Sequence, residues 1–159
     1  MTSTQFKDLV HIAGPTRERD PFSFAAAARV AFSDTDAQGI VYYGRYSAYF
    51  DVARVEYFRH LDLRGGYHTG DRGGDFVMRH FNIDYHAPAQ FDDPLAVFCR
   101  VAKIGNSSMN FEFAVVHNET DTLLATATQV LVFVDLDKRK PLRVPDAVRT
   151  NVETFEAAR

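Results

Sequence analysis

The sequence predicts an α+β fold in which an antiparallel sheet is wrapped around one long helix. A run of apolar residues at helical spacing, free of proline over 45–63, predicts the helix. Four segments with strand-like patterns follow it, and turn sequences separate them. Because consecutive strands usually lie beside each other, we expect these four strands to form an antiparallel meander.

The chain before the helix divides into an arm and a strand. Residues 1–20 are polar, and we interpret them as a loosely ordered arm with a short strand near 6–12. Residues 21–159 then make up a single domain. Its first strand is predicted over 22–32, although the four alanines at 25–28 would also tolerate a helix.

The long helix is predicted to begin near Tyr43 and to end before the glycine pair at 65–66. Its apolar residues recur at spacings of three and four: Tyr46, Tyr49, Phe50, Ala53, Tyr57 and Leu61. Its charged residues fall largely on the other face: Arg45, Asp51, Arg54 and Arg59. An amphipathic helix of this kind buries its apolar face.

The elements after the helix are bounded by turn signals. The glycine-rich stretch 65–74 is predicted to be a flexible loop and a candidate lid. A half-buried strand is predicted over 75–86, and further strands over 95–104, 111–117 and 123–134. Pro145 is predicted to open a final helix over 146–158.

Length, charge and cysteine content narrow the class of protein. The 159 residues suffice for one domain with its own core, and a net charge of −3 without a basic block does not favour nucleic acid. The single cysteine, Cys99, fits a reducing compartment and a cytoplasmic protein, and its apolar surroundings predict a buried, inert thiol. No secretory signal is evident, and no apolar run reaches the length of a membrane span.

A polar break between the first strand and the helix carries the candidate chemistry. Residues 33–39 read SDTDAQG, so Asp34 and Asp36 stand just before the helix. The first amides of a helix lack partners within it and can polarise a carbonyl oxygen. A carboxylate beside them could attack that carbonyl or deprotonate a water aimed at it. The structural alternative is that the two aspartates form an Asx turn and cap the helix.

The same segment does not fit a metal site. Asp34-x-Asp36-x-Gln38-Gly39 begins like a calcium-binding EF-hand loop, but its twelfth position is Arg45, where a bidentate glutamate is required. No helix is predicted before the loop, and the histidines do not share a metal-ligand spacing. We therefore predict that the protein holds no metal.

The break and the helix together resemble the signature of a known enzyme family. Residues 32–43 read FSDTDAQGIVYY, and residues 46–54 read YSAYFDVAR. This pattern resembles that of hot-dog-fold acyl-CoA thioesterases of the 4-hydroxybenzoyl-CoA thioesterase type. The resemblance implies a hot-dog fold and hydrolysis of an acyl-CoA thioester without a cofactor, since CoA is part of the substrate. It also implies a homodimer or a dimer of dimers, with active sites between subunits.

The resemblance implies roles for individual residues. Asp36 matches the catalytic aspartate of the family, which acts as nucleophile or general base. The amide of Tyr43 matches the helix-start donor that polarises the thioester carbonyl, and Gly44 supplies the next amide. Gly39 matches the glycine that lets the loop close against the substrate. Tyr46 could line a pocket for an aryl or medium-chain acyl group, or belong to the core.

Two positions depart from the family pattern. Many members have histidine where Tyr43 stands, and many have asparagine or serine where Arg45 stands. The loss of a histidine is harmless if only the backbone amide acts. Arg45 could alter the acyl pocket or contact an anionic acyl group.

Contacts to CoA are expected from two turns. Lys103, Ser107 and Ser108 resemble a Lys-x-x-x-Ser-Ser turn whose donors lie close to the pantetheine and nucleotide of CoA in the family. Arg139, with the cations at 140 and 143, could meet the CoA phosphates. Solvated turns without a ligand are the structural alternative for both segments.

Other candidate residues and functions are weaker. The histidines, including His80 and His86, are predicted to be structural, and His68 in the glycine-rich loop is the best placed to touch substrate. Asp51 is a second candidate carboxylate, although an ion pair with Arg54 explains it. The alternative functions are a hot-dog dehydratase or hydratase, which usually pairs a histidine with a carboxylate, and a non-catalytic acyl-CoA-binding module.

Overall fold

A computed structural model describes residues 11–12, 20–63 and 73–158 of the chain. Its strands are β1 (His11–Ile12), β2 (Ala25–Arg29), β3 (Asp75–Tyr85), β4 (Pro94–Ile104), β5 (Ser108–His117), β6 (Leu123–Asp135) and β7 (Lys140–Pro141). Its α-helices within these residues are α1 (Tyr46–His60) and α2 (Asp146–Ala157). Two short 3₁₀ turns flank the polar break, at Phe32–Asp34 and Tyr43–Arg45.

The described strands form one antiparallel sheet. Their order is β1-β2-β4-β5-β6-β3, and β7 pairs with the end of β6. Three consecutive long strands, β4 to β6, make up the centre, and the β4–β5 hairpin closes with a bond from the Gly105 amide to the Ser108 carbonyl at 2.8 Å. The sheet curls around α1, which is the arrangement predicted from the sequence.

The predicted meander of four strands is correct for β4, β5 and β6 but wrong for β3. β3 lies at the far edge, where it pairs with β6 from Asp75 opposite Val134 to Tyr85 opposite Ala125. The segment after β3 cannot turn back as a tight hairpin, because it is held elsewhere. For example, the carbonyl of Ala89 in this segment accepts the amide of residue 41 at 2.8 Å.

As an edge strand, β3 is more exposed than the half-buried strand that its alternating pattern predicts. Only one of its sides is paired among the described residues. Four of its large apolar side chains are exposed: Val77, Met78, Phe81 and Tyr85. Natural proteins usually protect such edges, so this exposed strand is a candidate surface for pairing.

The aromatic face of α1 packs on the middle of the sheet. The rings of Phe50 and Phe113 lie 5.0 Å apart, and those of Tyr57 and Phe111 lie 6.2 Å apart. Burying one such side chain contributes about 1.5–3 kcal/mol. Five residues predicted on this face are buried as expected: Tyr46, Tyr49, Phe50, Ala53 and Tyr57.

Arg54 contradicts the predicted polar face of the helix. Its side chain is buried, whereas the helical pattern places it toward solvent. The guanidinium donates to the Gln129 side chain on β6, and it also binds the Asp51 carboxylate at 2.6 Å as predicted. These bonds replace hydrogen bonds to water, which makes burial of the charge tolerable.

The first strand is shorter than its predicted span of 22–32. β2 ends at Arg29, and the chain then enters the 3₁₀ turn Phe32–Asp34. The Ala31 amide donates to the Asp34 carboxylate at 3.0 Å, and this local bond closes the turn in place of a ladder bond.

Helix α2 begins directly after Pro145, as predicted, and covers β4 beyond the end of β2. The pairing of β2 with β4 stops at Phe98. Farther along β4, the Val101 amide donates to Glu156 Oε1 on α2 at 3.0 Å, and the Tyr57 hydroxyl donates to the same oxygen at 2.6 Å. One carboxylate therefore joins the sheet, α1 and α2.

Some predictions fall on residues that the structure does not describe. They are most of the 1–20 arm and the glycine-rich loop with its glycine pair at 65–66 and His68, of which only residues 73–74 are described. The long helix itself ends at His60, before that glycine pair. Within the described ranges, no helix has the length and apolar character needed to cross a membrane.

Cys99 is fully buried in β4, as predicted. Burial raises the pKa of its thiol well above the usual value, which keeps the sulfur protonated at neutral pH. The thiol is therefore not a nucleophile in this fold.

The substitution Glu156→Ala is expected to lower the free energy of unfolding by about 1–3 kcal/mol, because it leaves two buried donors without this acceptor. Urea unfolding followed by circular dichroism measures the change. Glu153→Ala on the same helix is the matched control, since its carboxylate is 60% exposed and lies 3.8 Å from Arg149. The control is expected to change stability by less than about 0.5 kcal/mol. Equal stability of the two variants would contradict the role given to Glu156.

Candidate active site

The polar break folds as a small closed loop between β2 and α1. The Asp36 amide donates to the Ile40 carbonyl at 3.0 Å, and the Gly39 amide donates to the Asp36 carbonyl at 2.9 Å. Thr35 and Val41 face each other in an antiparallel bridge at the base of the loop. Gly39 has a φ of +76°, a conformation that glycine adopts without steric cost.

Asp36 is partly exposed within this loop. Its Oδ1 accepts the Gln38 amide at 2.8 Å, which is the Asx turn considered as the structural alternative. Asp36 also lines a cavity beside the loop, so the same side chain both forms the Asx turn and contributes to the cavity wall. The capping part of that alternative is wrong, because in the described residues the two aspartates accept the amides of Ala31 and Gln38 and not those at the N-terminus of α1.

A cavity of about 450 Å³ adjoins the loop. Its walls are Asp36, Gln38, Ile40, Val41, Tyr43, Tyr46, Tyr85, His86, Ala87 and Pro88. Aromatic and aliphatic side chains dominate this set, and Asp36 is its single carboxylate. The cavity is therefore suited to an apolar group held next to one acidic side chain.

The beginning of the helix supplies free backbone donors at this cavity. The 3₁₀ turn Tyr43–Arg45 leads directly into α1, and Tyr43 lines the cavity. Over the described part of the chain, no backbone carbonyl accepts from the amides of Tyr43 or Gly44. Such amides carry the partial positive charge of a helix start. They can therefore stabilise negative charge that develops on an oxygen nearby.

Two tyrosines form an aromatic wall of the cavity. The rings of Tyr46 and Tyr85 lie 5.4 Å apart, edge to face, and the Tyr85 hydroxyl donates to the Tyr43 carbonyl at 2.8 Å. Burial raises the pKa of Tyr46 above its usual 10.0, and the nearby Tyr85 adds to the effect. Tyr46 therefore stays neutral at physiological pH.

Asp34 has a different environment from Asp36. It is 6% exposed. Its Oδ1 accepts from Arg45 Nε at 3.1 Å and Nη2 at 2.9 Å, and its Oδ2 accepts from the Ala31 amide at 3.0 Å and the Tyr49 hydroxyl at 2.9 Å. Burial alone would raise the pKa of Asp34, but these donors outweigh it and hold the pKa below the usual 3.8. Asp34 is thus a buried anion with both oxygens occupied.

The structure brings one part of the predicted site together. Asp36, Tyr43 and Tyr46 line the same cavity. Gly39 lies in the loop that carries Asp36, and Gly44 lies in the 3₁₀ turn at the helix start. A Cβ at Gly44 would lie 2.8 Å from the ring of Tyr42, so the turn has little space for a side chain there.

The predicted CoA contacts lie elsewhere on the chain. Lys103 lines a separate cavity of about 300 Å³ between β4 and α2. Ser107 and Ser108 belong to the β4–β5 hairpin, and Arg139 lies in the turn before β7. None of these four is among the described walls of the Asp36 cavity. Their contact with CoA stays a prediction.

Arg45 and Asp51 also lie apart from the cavity walls. Arg45 binds Asp34, so it holds the loop and does not line the cavity. Asp51 is bound to Arg54 at 2.6 Å on α1. Among the described residues, no cluster of three or more His, Cys, Asp or Glu side chains could hold a metal.

Sequence reasoning missed the part of the cavity wall that is formed by residues at the end of β3 and directly after it. His86, predicted to be structural, lines the cavity, and its Nε2 lies 2.9 Å from Thr126 Oγ1. Tyr85, predicted only as a strand residue, reaches Tyr43, which is 42 residues earlier in the chain. No local pattern marks these residues, because the contact is made by tertiary folding.

A curled antiparallel sheet around one long helix is the architecture of the hot-dog class of proteins. Comparison with family models matches residues 30–152, well over half of the chain, to the thioesterase-like superfamily. The chain belongs to this superfamily.

Curated relatives agree with this assignment. The acyl-CoA thioesterase YbgC of Haemophilus influenzae is 35% identical over 126 residues, which cover 79% of this chain and 91% of the relative. The acyl-CoA thioester hydrolase YbgC of Escherichia coli O157:H7 is 34% identical over 125 residues, covering 79% of this chain and 92% of its own.

Solved structures confirm the predicted hot-dog fold. A 1,4-dihydroxy-2-naphthoyl-CoA thioesterase from Synechocystis superposes with a TM-score of 0.76 at 24% identity, covering 84% of this chain and 97% of that one. This likeness shows the fold. A probable thioesterase from Bartonella henselae has a TM-score of 0.68 at 31% identity, with 75% of this chain and 96% of that one covered.

The substitution Asp34→Asn is expected to destabilise the protein at neutral pH, and the difference from wild type should shrink in acid. Because the folded-state pKa lies below 3.8, the unfolded chain takes up this proton first as the pH falls. The stabilisation is therefore fully present above the unfolded pKa and is lost as the pH falls through the folded one.

Urea unfolding between about pH 3 and pH 7 tests this dependence. Asp146→Asn is the control, since its carboxylate is 83% exposed, and a change within about 0.5 kcal/mol is expected at every pH. A difference between Asp34→Asn and wild type that is constant over the whole range would contradict the ionic bonding of Asp34.

Proposed function

We propose that this protein hydrolyses an acyl-CoA thioester to the free acid and CoA. The observation that carries the proposal is that Asp36 and Tyr43 line one cavity where the 3₁₀ turn leading into α1 offers free amides. The relatives named acyl-CoA thioesterase YbgC support CoA as the thiol part of the substrate.

In the proposed reaction, the thioester carbonyl oxygen binds the amides of Tyr43 and Gly44. A carboxylate oxygen of Asp36 attacks the carbonyl carbon, or Asp36 removes a proton from a water that attacks it. The carbonyl electron pair moves to oxygen, where the two amides stabilise the negative charge. The carbon–sulfur bond then breaks and the thiolate of CoA leaves with the bonding pair.

The two routes differ in the next step. If Asp36 is the nucleophile, it forms a mixed anhydride with the acyl group, and water hydrolyses this anhydride to release the acid. If Asp36 is the base, the acid forms directly and the proton passes from Asp36 to the departing thiolate or to solvent. A thiolate leaves readily, so neither route requires a strong general acid.

The acyl group is proposed to occupy the aromatic cavity. Ile40 and Pro88 add aliphatic surface to the wall formed by Tyr46 and Tyr85. A volume of about 450 Å³ suits an aryl or medium-chain acyl group. No cofactor is needed, because CoA is part of the substrate. This absence and the cytoplasmic location stay predictions.

Self-association is proposed to complete the CoA site. Within one chain, the Asp36 cavity lacks Lys103, Ser107, Ser108 and Arg139 among its described walls. The exposed edge of β3 ends at Tyr85, which is itself in the cavity wall. Pairing of this edge with a second copy would bury its apolar side chains and bring another chain close to the cavity.

His86 gives the dehydratase or hydratase alternative a specific basis. It shares the cavity with Asp36, and enzymes of that type usually pair a histidine with a carboxylate. Addition of water to an enoyl-CoA, measured beside thiol release on the same preparation, separates the two reactions. A non-catalytic acyl-CoA-binding module would bind acyl-CoA without either product.

Asp36→Asn is expected to lower the rate of thiol release by about 10²–10⁴-fold, because the amide can neither attack nor act as a base. Release of free CoA from aromatic, short and long acyl-CoAs measures it. Asp51→Asn is the control, since Asp51 is an exposed carboxylate of α1 outside the cavity wall, and it should retain turnover. Equal turnover by Asp36→Asn and wild type would remove Asp36 from the mechanism.

In light scattering, wild-type protein is expected to have at least twice the mass of one 18.0-kDa chain. The substitution Met78→Asp is expected to shift the measured mass toward that of the monomer. The new charge would lie on the exposed edge of β3, where pairing would desolvate it. Leu136→Asp, at another exposed apolar residue in the turn before β7, should keep the wild-type mass. An unchanged mass for Met78→Asp would place the interface elsewhere.

A further inference from the structure

We propose that Asp34 and Arg45 act as a positioning pair, which fixes the catalytic carboxylate of Asp36 relative to the amides at the start of α1. This inference rests on the proposed thioester hydrolysis, but it concerns how the two halves of the site are held in register. Neither Asp34 nor Arg45 is among the described walls of the cavity, so the pair acts through other groups.

Asp34 joins the two ends of the loop through its backbone. Its carbonyl accepts the Tyr42 amide at 2.9 Å. Asp36 follows Asp34 by two residues, and Tyr43 directly follows Tyr42. The bond between Asp34 and Tyr42 therefore closes the loop that carries Asp36, and it does so directly before Tyr43, which supplies the first amide.

The side chain of Asp34 extends this connection into the helix. Its Oδ1 accepts both Nε and Nη2 of Arg45, and its Oδ2 accepts the Tyr49 hydroxyl at 2.9 Å. Residues 45 and 49 are four apart, so they lie on the same face at the beginning of α1. The Ala31 amide holds the other side of Oδ2 at 3.0 Å. Asp34 is thus bound to the chain before the loop and to the helix after it.

Arg45 determines the orientation of this junction. It provides two of the four donors that reach the Asp34 carboxylate, and both bind the same oxygen. A guanidinium presents its donors in a fixed planar arrangement, which an ammonium group does not. When Arg45 is removed, Ala31 and Tyr49 still hold Oδ2, so the loop stays folded while Oδ1 loses both of its side-chain donors.

A small shift at this junction is expected to affect catalysis more than binding. The acyl group contacts the cavity walls, to which Arg45 does not contribute. The reaction, however, depends on the distance between Asp36 and the carbonyl that the helix amides hold. A misplacement of about 1 Å between reacting groups can cost on the order of 10²-fold in rate.

The test compares kcat and KM of wild type, Arg45→Ala, Arg45→Lys, Asp34→Ala and the double variant Asp34→Ala/Arg45→Ala. Arg45→Ala should lower kcat by roughly 10- to 100-fold while KM changes by less than about threefold. Arg45→Lys should recover part of the loss, since it keeps the charge but not the planar fork. The double variant should be no slower than Asp34→Ala alone, because the two residues act as a unit.

Arg100→Ala is the matched control. Arg100 also binds a carboxylate, Glu112 at 2.7 Å, but this pair joins β4 to β5 and not the loop to the helix. It should keep the wild-type kcat. Circular dichroism establishes that each variant is folded, and if Asp34→Ala fails to fold, Arg45→Ala and Arg45→Lys decide the question.

Three results would overturn the positioning pair: an unchanged kcat in Arg45→Ala, a loss confined to KM, or losses that multiply in the double variant. Suppose that wild type turns over acyl-CoA and that Asp36→Asn does not. Any of these three results then refutes the positioning pair and leaves the proposed function standing. Absence of turnover in wild type refutes the proposed function, and the pair with it.

Discussion

The packing of the aromatic face of α1 on the centre of the sheet is the contact on which the rest of the structure depends. Phe50 packs against Phe113, and Tyr57 packs against Phe111. These contacts fix the rotation of the helix about its own axis and its position along β5. This packing decides where the first turn of α1 lies relative to the end of β2. The polar break then has to span a fixed gap, which it does as a closed loop with a left-handed glycine.

Within that loop, the environment gives two neighbouring aspartates opposite roles. Asp34 is buried, both of its oxygens are occupied, and its donors hold its pKa low. Asp36 has one backbone donor at Oδ1 and faces the cavity. A carboxylate whose hydrogen bonds are already saturated is poorly suited to attack a substrate, whereas one with a free oxygen can do so. The same residue type thus supplies a structural carboxylate and, in the proposed mechanism, the reactive one.

The sequence predicts well what is encoded locally. The spacing of three and four in α1 identifies the buried face, because burial on a helix follows its period. The signature around Asp36 identifies a loop that leads into a helix. The sequence fails where a partner lies far along the chain. Arg54 is buried because it meets Gln129, 75 residues later, and β3 leaves the meander because the segment after it packs on the polar break.

The exposed edge strand of the described sheet, β3, runs over eleven residues and ends at Tyr85 in the cavity wall. If β3 pairs with its own counterpart about a two-fold axis, the two strands run antiparallel, so the Tyr85 ends of the two strands point in opposite directions along the seam. The two cavities would then lie toward opposite ends of the joined sheet. Each would have its own neighbouring stretch of the other chain, and one assembly would carry two separate sites.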